Sequence, residues 1–220
     1  MSAANNLTYM DLILFGMQGA GKGTLGLALA ERYDLEIFET GGELRKLGEQ
    51  STPLAQKVKA IIDAGHLVPN EVVMEIVENF MENLPAGKNV LFDGIPRKID
   101  QAESLNEVLK KYDRSYKALI IDIKKETALH RLTTRRIDPV TKKVYPADYP
   151  SDISEEGNKL VTRKDDNPEA IENRLTAFEQ ETLPAIELYQ DVLIKISGEN
   201  NIDEVRREAF TELDKEFIKN

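Results

Sequence analysis

The 220-residue sequence has no cysteine, and that absence removes disulfides and cysteine-held zinc sites from consideration. Its two histidines, His66 and His130, are too few for a histidine-rich metal site. No apolar run approaches the roughly 18–20 residues that a membrane-crossing helix requires. The first residues, MSAANNLTYMD, lack both the basic start and the apolar stretch of a secretory signal. Positive charge is short as well. Twenty-nine Lys and Arg stand against 39 Asp and Glu, a formal net charge of −10, which argues against generic binding to nucleic acid or an anionic membrane. What remains is a globular chain, 41% hydrophobic and 31% charged, long enough for one α/β domain with a smaller insert and expected in the cytoplasm.

What is abundant in one place is glycine. An apolar run, Leu12, Ile13, Leu14 and Phe15, stops at Gly16, and Gly16, Gly19, Gly21 and Gly23 follow around Lys22 before Thr24. A helical pattern (Leu25, Leu27, Ala28, Leu29, Ala30) begins at once. Gly16 and Gly21-Lys22 fit the phosphate-loop spacing between a strand and a helix. Glycines let such a loop turn its N–H groups inward, and with the helix N-terminus these form an anion nest. Lys22 can then reach β- and γ-phosphates, and Thr24 can offer its hydroxyl to the shell of a Mg²⁺ ion. Gly23 takes the place directly after the lysine where Ser or Thr is usual, so the generic motif fits with a shift of one residue. The competing reading is a glycine-rich turn with no ligand.

The rest of the chain alternates strand and helix. Residues 1–8 read as a flexible lead. A helix to about Tyr33 precedes a short strand at 36–38, and Thr40 is placed to cap the next helix. Ser51-Thr52-Pro53 starts another helix, which Gly65 ends, and Pro69 opens a third running to Leu84. Residues 89–92 and 116–123 are continuous apolar strands of the kind found in sheets covered on both faces, with a helix over about 98–112 between them. Residues 126–136 read as a helix that places Arg131 and Arg135 four apart on one face. Residues 137–164 carry three prolines and little periodicity, the texture of an inserted loop or small subdomain. Helix returns after Pro168, kinked or broken at Pro184. A last strand at 191–196 and a last helix at 202–217 close the chain. The alternation predicts an α/β fold with a parallel sheet, a helical insert at 40–69 and a loop-rich one at 137–164.

Ligands of such sheets bind beyond the carboxyl ends of the strands. The glycine loop and Asp93-Gly94 both fall there and are expected in one crevice. An acid in the position of Asp93 holds Mg²⁺ or its waters in phosphate-loop enzymes. Arg97, Arg131, Arg135, Arg136, Arg163 and Arg174 lie at element ends around that crevice. A lone arginine reads first as a solvated surface charge, but together they suit a phosphoryl group, for which the planar guanidinium fork is a match. His66 reads as a cap or surface residue and His130 as a surface one. Tyr145 and Tyr149 could stack on a base or pack within the insert.

In this order, GMQGAGKGT at 16–24, TGGELR at 40–45, AGHLVP at 64–69, DGIPRKIDQ at 93–101, RLTTRR at 131–136 and TRKDDNPE at 162–169 resemble the adenylate kinase family over about residues 10–210. The resemblance implies a three-layer P-loop NTPase fold in which 40–69 is the acceptor-binding insert and 137–164 a lid. It implies the reaction of Mg-ATP with AMP to give two ADP, in a monomer whose partners are these nucleotides alone. By the family pattern, Gly19, Ala20, Gly21, Lys22, Gly23 and Thr24 bind ATP, with Arg131 against its adenine and phosphates. Arg45 and Arg97 clamp the phosphate of AMP. Thr40, Val68, Gly94 and Gln101 surround its adenine. Arg135, Arg163 and Arg174 surround the transferring phosphoryl, the last two also reaching AMP, with Asp165 near Arg163. Mg²⁺ would be met by Thr24 and Asp93 through water, and no zinc is expected. A polar set including Asp138, Thr141 and Tyr145 would hold the cysteine-free lid.

Gln18, Gly42, Ile95 and Lys98 depart from the pattern, where Pro, an acid, an aromatic residue and Thr are common. The last three fall around the acceptor site. They leave open a kinase for UMP or CMP, beside a nucleotide-binding regulator with little catalysis.

Overall fold

The computed structural model describes residues 10–48, 50–63, 68–141, 143–146, 149–162 and 166–217. Its centre is β1 (Met10–Gly16), where Leu12, Ile13, Leu14 and Phe15 are all buried. Alternate side chains of a strand point to opposite faces, so burial of four in succession requires a layer on each side. Both layers are present. Leu14 meets Gly26 on α1 (Lys22–Tyr33), whereas the Phe15 ring lies 5.4 Å from that of Tyr189, in a 3₁₀ segment near the end of the chain.

On one side of β1 lie β3 (Asn89–Asp93) and then β2 (Leu35–Glu39); on the other lie β4 (Ser115–Asp122) and then β7 (Leu193–Ser197). Every pairing in this five-stranded sheet is parallel. The strand order reverses beside β1, the switch point where doubly wound sheets open a crevice. Register aligns the carboxyl ends there: Leu14 and Glu39 both pair with Asp93, and Gly16 pairs with Ile121. This is the three-layer arrangement of a P-loop fold.

At the amino end of the same strand, Asp11 is fully buried and accepts from the Val90 amide at 2.7 Å and from Arg114 Nε at 2.8 Å. Arg114 also donates to the Lys88 carbonyl. This buried ion pair fastens β1 to β3 and to the turn before β4, away from the crevice.

Between β2 and β3 stand α2 (Thr40–Gly48), α3 (Pro53–Asp63) and α4 (Asn70–Glu82). The Thr52 hydroxyl accepts from the Ala55 amide and so caps the start of α3, which begins at Pro53 as expected. Thr40, expected to cap α2, is instead its first residue, and its hydroxyl turns to the Asp93 carbonyl at 3.4 Å. Pro69 precedes α4 as its cap rather than opening it. Then come α5 (Ile99–Lys111) and α6 (Lys125–Thr134).

Within 137–164, β5 (Arg136–Ile137) pairs with β6 (Val144–Tyr145). Bridges Ile137↔Val161 and Ile153↔Lys159 complete this small antiparallel unit. Its polar centre is Asp138, fully buried, which accepts from the amides of Val140 and Thr141 and from Asn158. Tyr145 serves separately, through Glu156 and the Glu155 amide. The Tyr145 and Tyr149 rings lie 4.5 Å apart, so packing within the insert is the reading that holds.

Finally α7 (Pro168–Ala177) widens into a π-helical segment (Phe178–Thr182) and resumes as α8 (Leu183–Ile186), which carries Pro184 as expected of a broken helix. The last helix is α9 (Ile202–Phe217). Among the described residues no helix is long and apolar enough to cross a membrane.

Candidate active site

The loop between β1 and α1 is built by glycine at a tight point. Gly19 has φ of 88°, and a Cβ there would stand 3.1 Å from the Ala128 carbonyl, so the loop can lie against α6 only without a side chain. The helix begins at Lys22 itself, earlier than expected from the sequence. Lys22 Nζ donates to the Gly16 carbonyl at 2.6 Å and to that of Met17 at 3.4 Å. Burial pushes this ammonium down to about 8; Asp93 opposes the shift, and the charges of Arg97 and Arg135 add to it. Thr24 is exposed in the first turn of α1. Gln18, beside the loop, keeps its Oε1 buried with no hydrogen-bond partner among the described residues.

Asp93 ends β3, and burial raises its carboxyl above the ordinary value, with Glu39 adding to the shift and Lys22 and Arg97 opposing it. The turn that follows aims Arg97. Arg97 Nε donates to the Gly94 carbonyl at 2.9 Å, and the Arg97 amide donates to Gln101 Oε1 at 2.9 Å. The protein packed around the cleft pushes this guanidinium down from its ordinary value although its side chain reaches solvent; Arg174 adds to the effect, while Asp93 and Glu39 oppose it. Thr40 and Gly94 sit together here, with the Thr40 hydroxyl 3.5 Å from where a Cβ of Gly94 would stand. Ile95, one of the departures from the family pattern, is buried in the core. Lys98, another, pairs with Glu181 at 3.3 Å. Val68 is buried just before Pro69, and Arg45 lies on α2.

One expectation about the arginines fails. Arg135 does not share a helical face with Arg131: α6 stops at Thr134, and Arg135 has extended backbone with φ −65° and ψ 149°. The chain must leave the helix there to enter β5, and the departure swings Arg135 away. Its guanidinium grips Asp166 with both arms, at 2.6 and 2.7 Å. Asp166, its carboxylate wholly buried, also receives Arg174 at 3.3 Å. Arg131 bonds instead to the Gly198 carbonyl at 2.8 Å and to that of Gly19 at 3.4 Å.

Two participants were missed in the sequence. Asp166 is one; its neighbour Asp165 was chosen. The signal was present, since Asn167 caps α7 by accepting from the Ala170 amide and Pro168 opens the helix, which fixes the direction of the residue just before them. Gly198 is the other. A Cβ there would stand 2.5 Å from the Ile121 side chain, so the loop after β7 can approach β4 only as glycine. Its position beyond a strand's carboxyl end was the available clue. Arg163 and Asp165, with the lead at 1–8, Gly65 and His66, lie outside the described residues.

Chemically, the crevice gathers Lys22, Arg97, Arg135 and Arg174 from separate elements, close enough that their like charges disfavour one another. The carboxylates of Asp93, Glu39 and Asp166 oppose them. Such an arrangement is made for a polyanion. The adenylate kinase family model matches residues 14–194. The chain belongs to the adenylate kinase family. It is 37% identical over 213 residues to an adenylate kinase of Staphylococcus epidermidis, spanning 93% of this chain and 99% of that protein. It is 35% identical, over the same shares, to the adenylate kinase of Staphylococcus aureus. Membership makes the chain a kinase, a transferase that binds ATP through a P-loop.

Proposed function

We propose that this chain is an ATP:AMP phosphotransferase, converting Mg-ATP and AMP reversibly into two ADP. The observation that carries the reading is the convergence of Lys22, Arg97, Arg135 and Arg174 beside Asp93 at the carboxyl ends of β1 and β3. Phosphoryl transfer asks little covalent help of a protein; it needs alignment of donor and acceptor and neutralisation of the group in flight.

The backbone amides of residues 19–24 and Lys22 hold the donor's phosphates, and Arg131 lies along its base. Arg97 and Arg45 receive the acceptor's phosphate, while Thr40, Val68, Gly94 and Gln101 line its base. Arg135 and Arg174, with Arg163, face the moving phosphoryl, and Asp166 keeps two of these arginines in place. Residues 40–69 serve as the acceptor insert and 137–164 as the lid that excludes water, so that ATP is not lost to hydrolysis.

Thr24 and Asp93 offer one hydroxyl and one carboxylate, a sparse set that suits Mg²⁺ held largely by waters and phosphates. Bound there, the ion supplies charge neutralisation on the donor phosphates. Among the described residues no group of three His, Cys, Asp or Glu could hold another metal. Family membership favours a cytoplasmic monomer acting on nucleotides, and the net charge of −10 disfavours nucleic acid or an anionic membrane as partners.

Phosphorus NMR of Mg-ATP and AMP mixed with the purified chain tests this. Two ADP should appear for each ATP consumed, and release of inorganic phosphate in their place would refute it.

A further inference from the structure

Thr182 stands at a position where the helix pattern calls for an apolar residue. Ile171, Leu175 and Phe178 form the buried stripe of α7 and the wide turn, and Thr182 follows at the same spacing. Thr182 is half-buried there, and its hydroxyl is free to take a partner. It finds one across the molecule, donating to the Arg97 carbonyl at 3.0 Å. The preceding residue, Glu181, reaches Lys98 at 3.3 Å. Consecutive residues of one segment thus hold consecutive residues of another.

The segment is unusual in itself. The Leu183 amide bonds to the Phe178 carbonyl five residues back, the signature of a π turn, and such turns recur at functional sites. Pro184 just beyond has no amide to continue the α-helical ladder. Arg97 has two further ties, to Gly94 and to Gln101, both within its own turn. Among the described residues the Thr182 bond is its one hydrogen bond to another part of the fold. The same helix carries Arg174, bonded to Asp166 and through it to Arg135.

We infer that Thr182, assisted by Glu181 through Lys98, is a positioning residue for the acceptor-phosphate arginine: the wide turn after α7 sets where Arg97 stands. This rests on the assignment of Arg97 to the acceptor phosphate. The hydroxyl carries more of the effect than the ion pair, because Lys98 and Glu181 side chains are 38% and 39% exposed and surface pairs contribute little.

The test is steady-state kinetics of the full chain with AMP and with ATP varied separately, alongside thermal melting, for the wild type, Thr182→Val and Thr182→Ser. Loss of one neutral hydrogen bond is expected to raise KM for AMP about three- to tenfold in Thr182→Val, with KM for ATP and Tm held. Thr182→Ser, which keeps the hydroxyl, should stay near the wild type. An unchanged KM for AMP in the valine variant overturns the inference, as does a parallel loss in both KM values with a fall in Tm. Should Thr182→Val not fold, Thr182→Ala takes its place: it should raise KM for AMP to a similar extent with KM for ATP held, and an unchanged KM for AMP overturns the inference. A wild type that leaves AMP untouched would instead refute the proposed function, which keeps the two failures distinct.

Discussion

Lys22 is the residue on which charge and burial conflict most. Burial holds its ammonium at about 8, below the ordinary lysine value, so near pH 8.5 the nucleotide-free protein carries it largely neutral. A polyphosphate beside it favours the charged form and raises that value again. ATP binding at pH 8.5 should therefore take up on the order of half a proton or more. Calorimetry in buffers of different ionisation heat reads this directly, and Lys22→Met should abolish the uptake. Asp166 gives a second expectation. Asp166→Asn leaves Arg135 and Arg174 without their shared carboxylate. It should cost about 1–3 kcal/mol in urea unfolding, discounted because both arginines are partly exposed, and lower kcat at least about tenfold. These details show where sequence reading stops at this scale. Lys22 and Asp93 were legible because a glycine spacing and a strand end mark them. Asp165 and Asp166 are chemically alike neighbours in the sequence, and nothing in their type marks Asp166 as the one that meets Arg135 and Arg174. Arg135 was misplaced for the same kind of reason: the end of a helix is decided by the strand that follows it.

Among the elements, β1, β3 and the later half of β4 were readable as apolar runs because both faces are covered there, whereas the edge strands β2 and β7, with Glu39 and Lys195 exposed, carry less of that signal. The small unit at 137–164 was not, since strands of two residues have no period to detect. Asp138 organises that unit. Burial opposes its ionisation, but hydrogen bonds from Ser154, Asn158 and the amides of Val140 and Thr141 prevail and hold its carboxyl well below the usual range. A carboxyl whose folded pKa is depressed stabilises above its ordinary value of about 4, and the contribution is lost as pH falls through the lower folded value. Asp138→Ala should thus speed amide exchange across residues 137–161 at neutral pH while leaving β1, β3 and β4 protected. Equal acceleration in the sheet would mean that Asp138 supports the whole fold rather than this unit. The broken helix after Pro168 was half legible: Pro184 announced the break, but nothing in the residues announced a π turn before it.

At the scale of the molecule, a chain of net charge −10 gathers Lys22, Arg97, Arg135 and Arg174 at one end of its main sheet and anchors the other end with a buried pair. The division predicts separable effects. Asp11→Asn removes the buried carboxylate charge that Arg114 meets and should cost about 3–5 kcal/mol in urea unfolding, with KM for both nucleotides unchanged. The order β2-β3-β1-β4-β7 could not be read from alternation alone, which predicts a parallel sheet but not which strand lies beside which. Yet it is this order that sets Asp93 next to the glycine loop. The most direct test of the account offers the purified chain Mg-ATP with AMP, UMP, CMP or GMP in turn, with Lys22→Ala run alongside, and separates the products. The account predicts ADP from AMP in large excess over the other acceptors, and at least about a tenfold loss in the variant, a change of roughly 1.4 kcal/mol in transition-state stabilisation. Preference for UMP or CMP, or bound ATP with no acceptor phosphorylated, would contradict it.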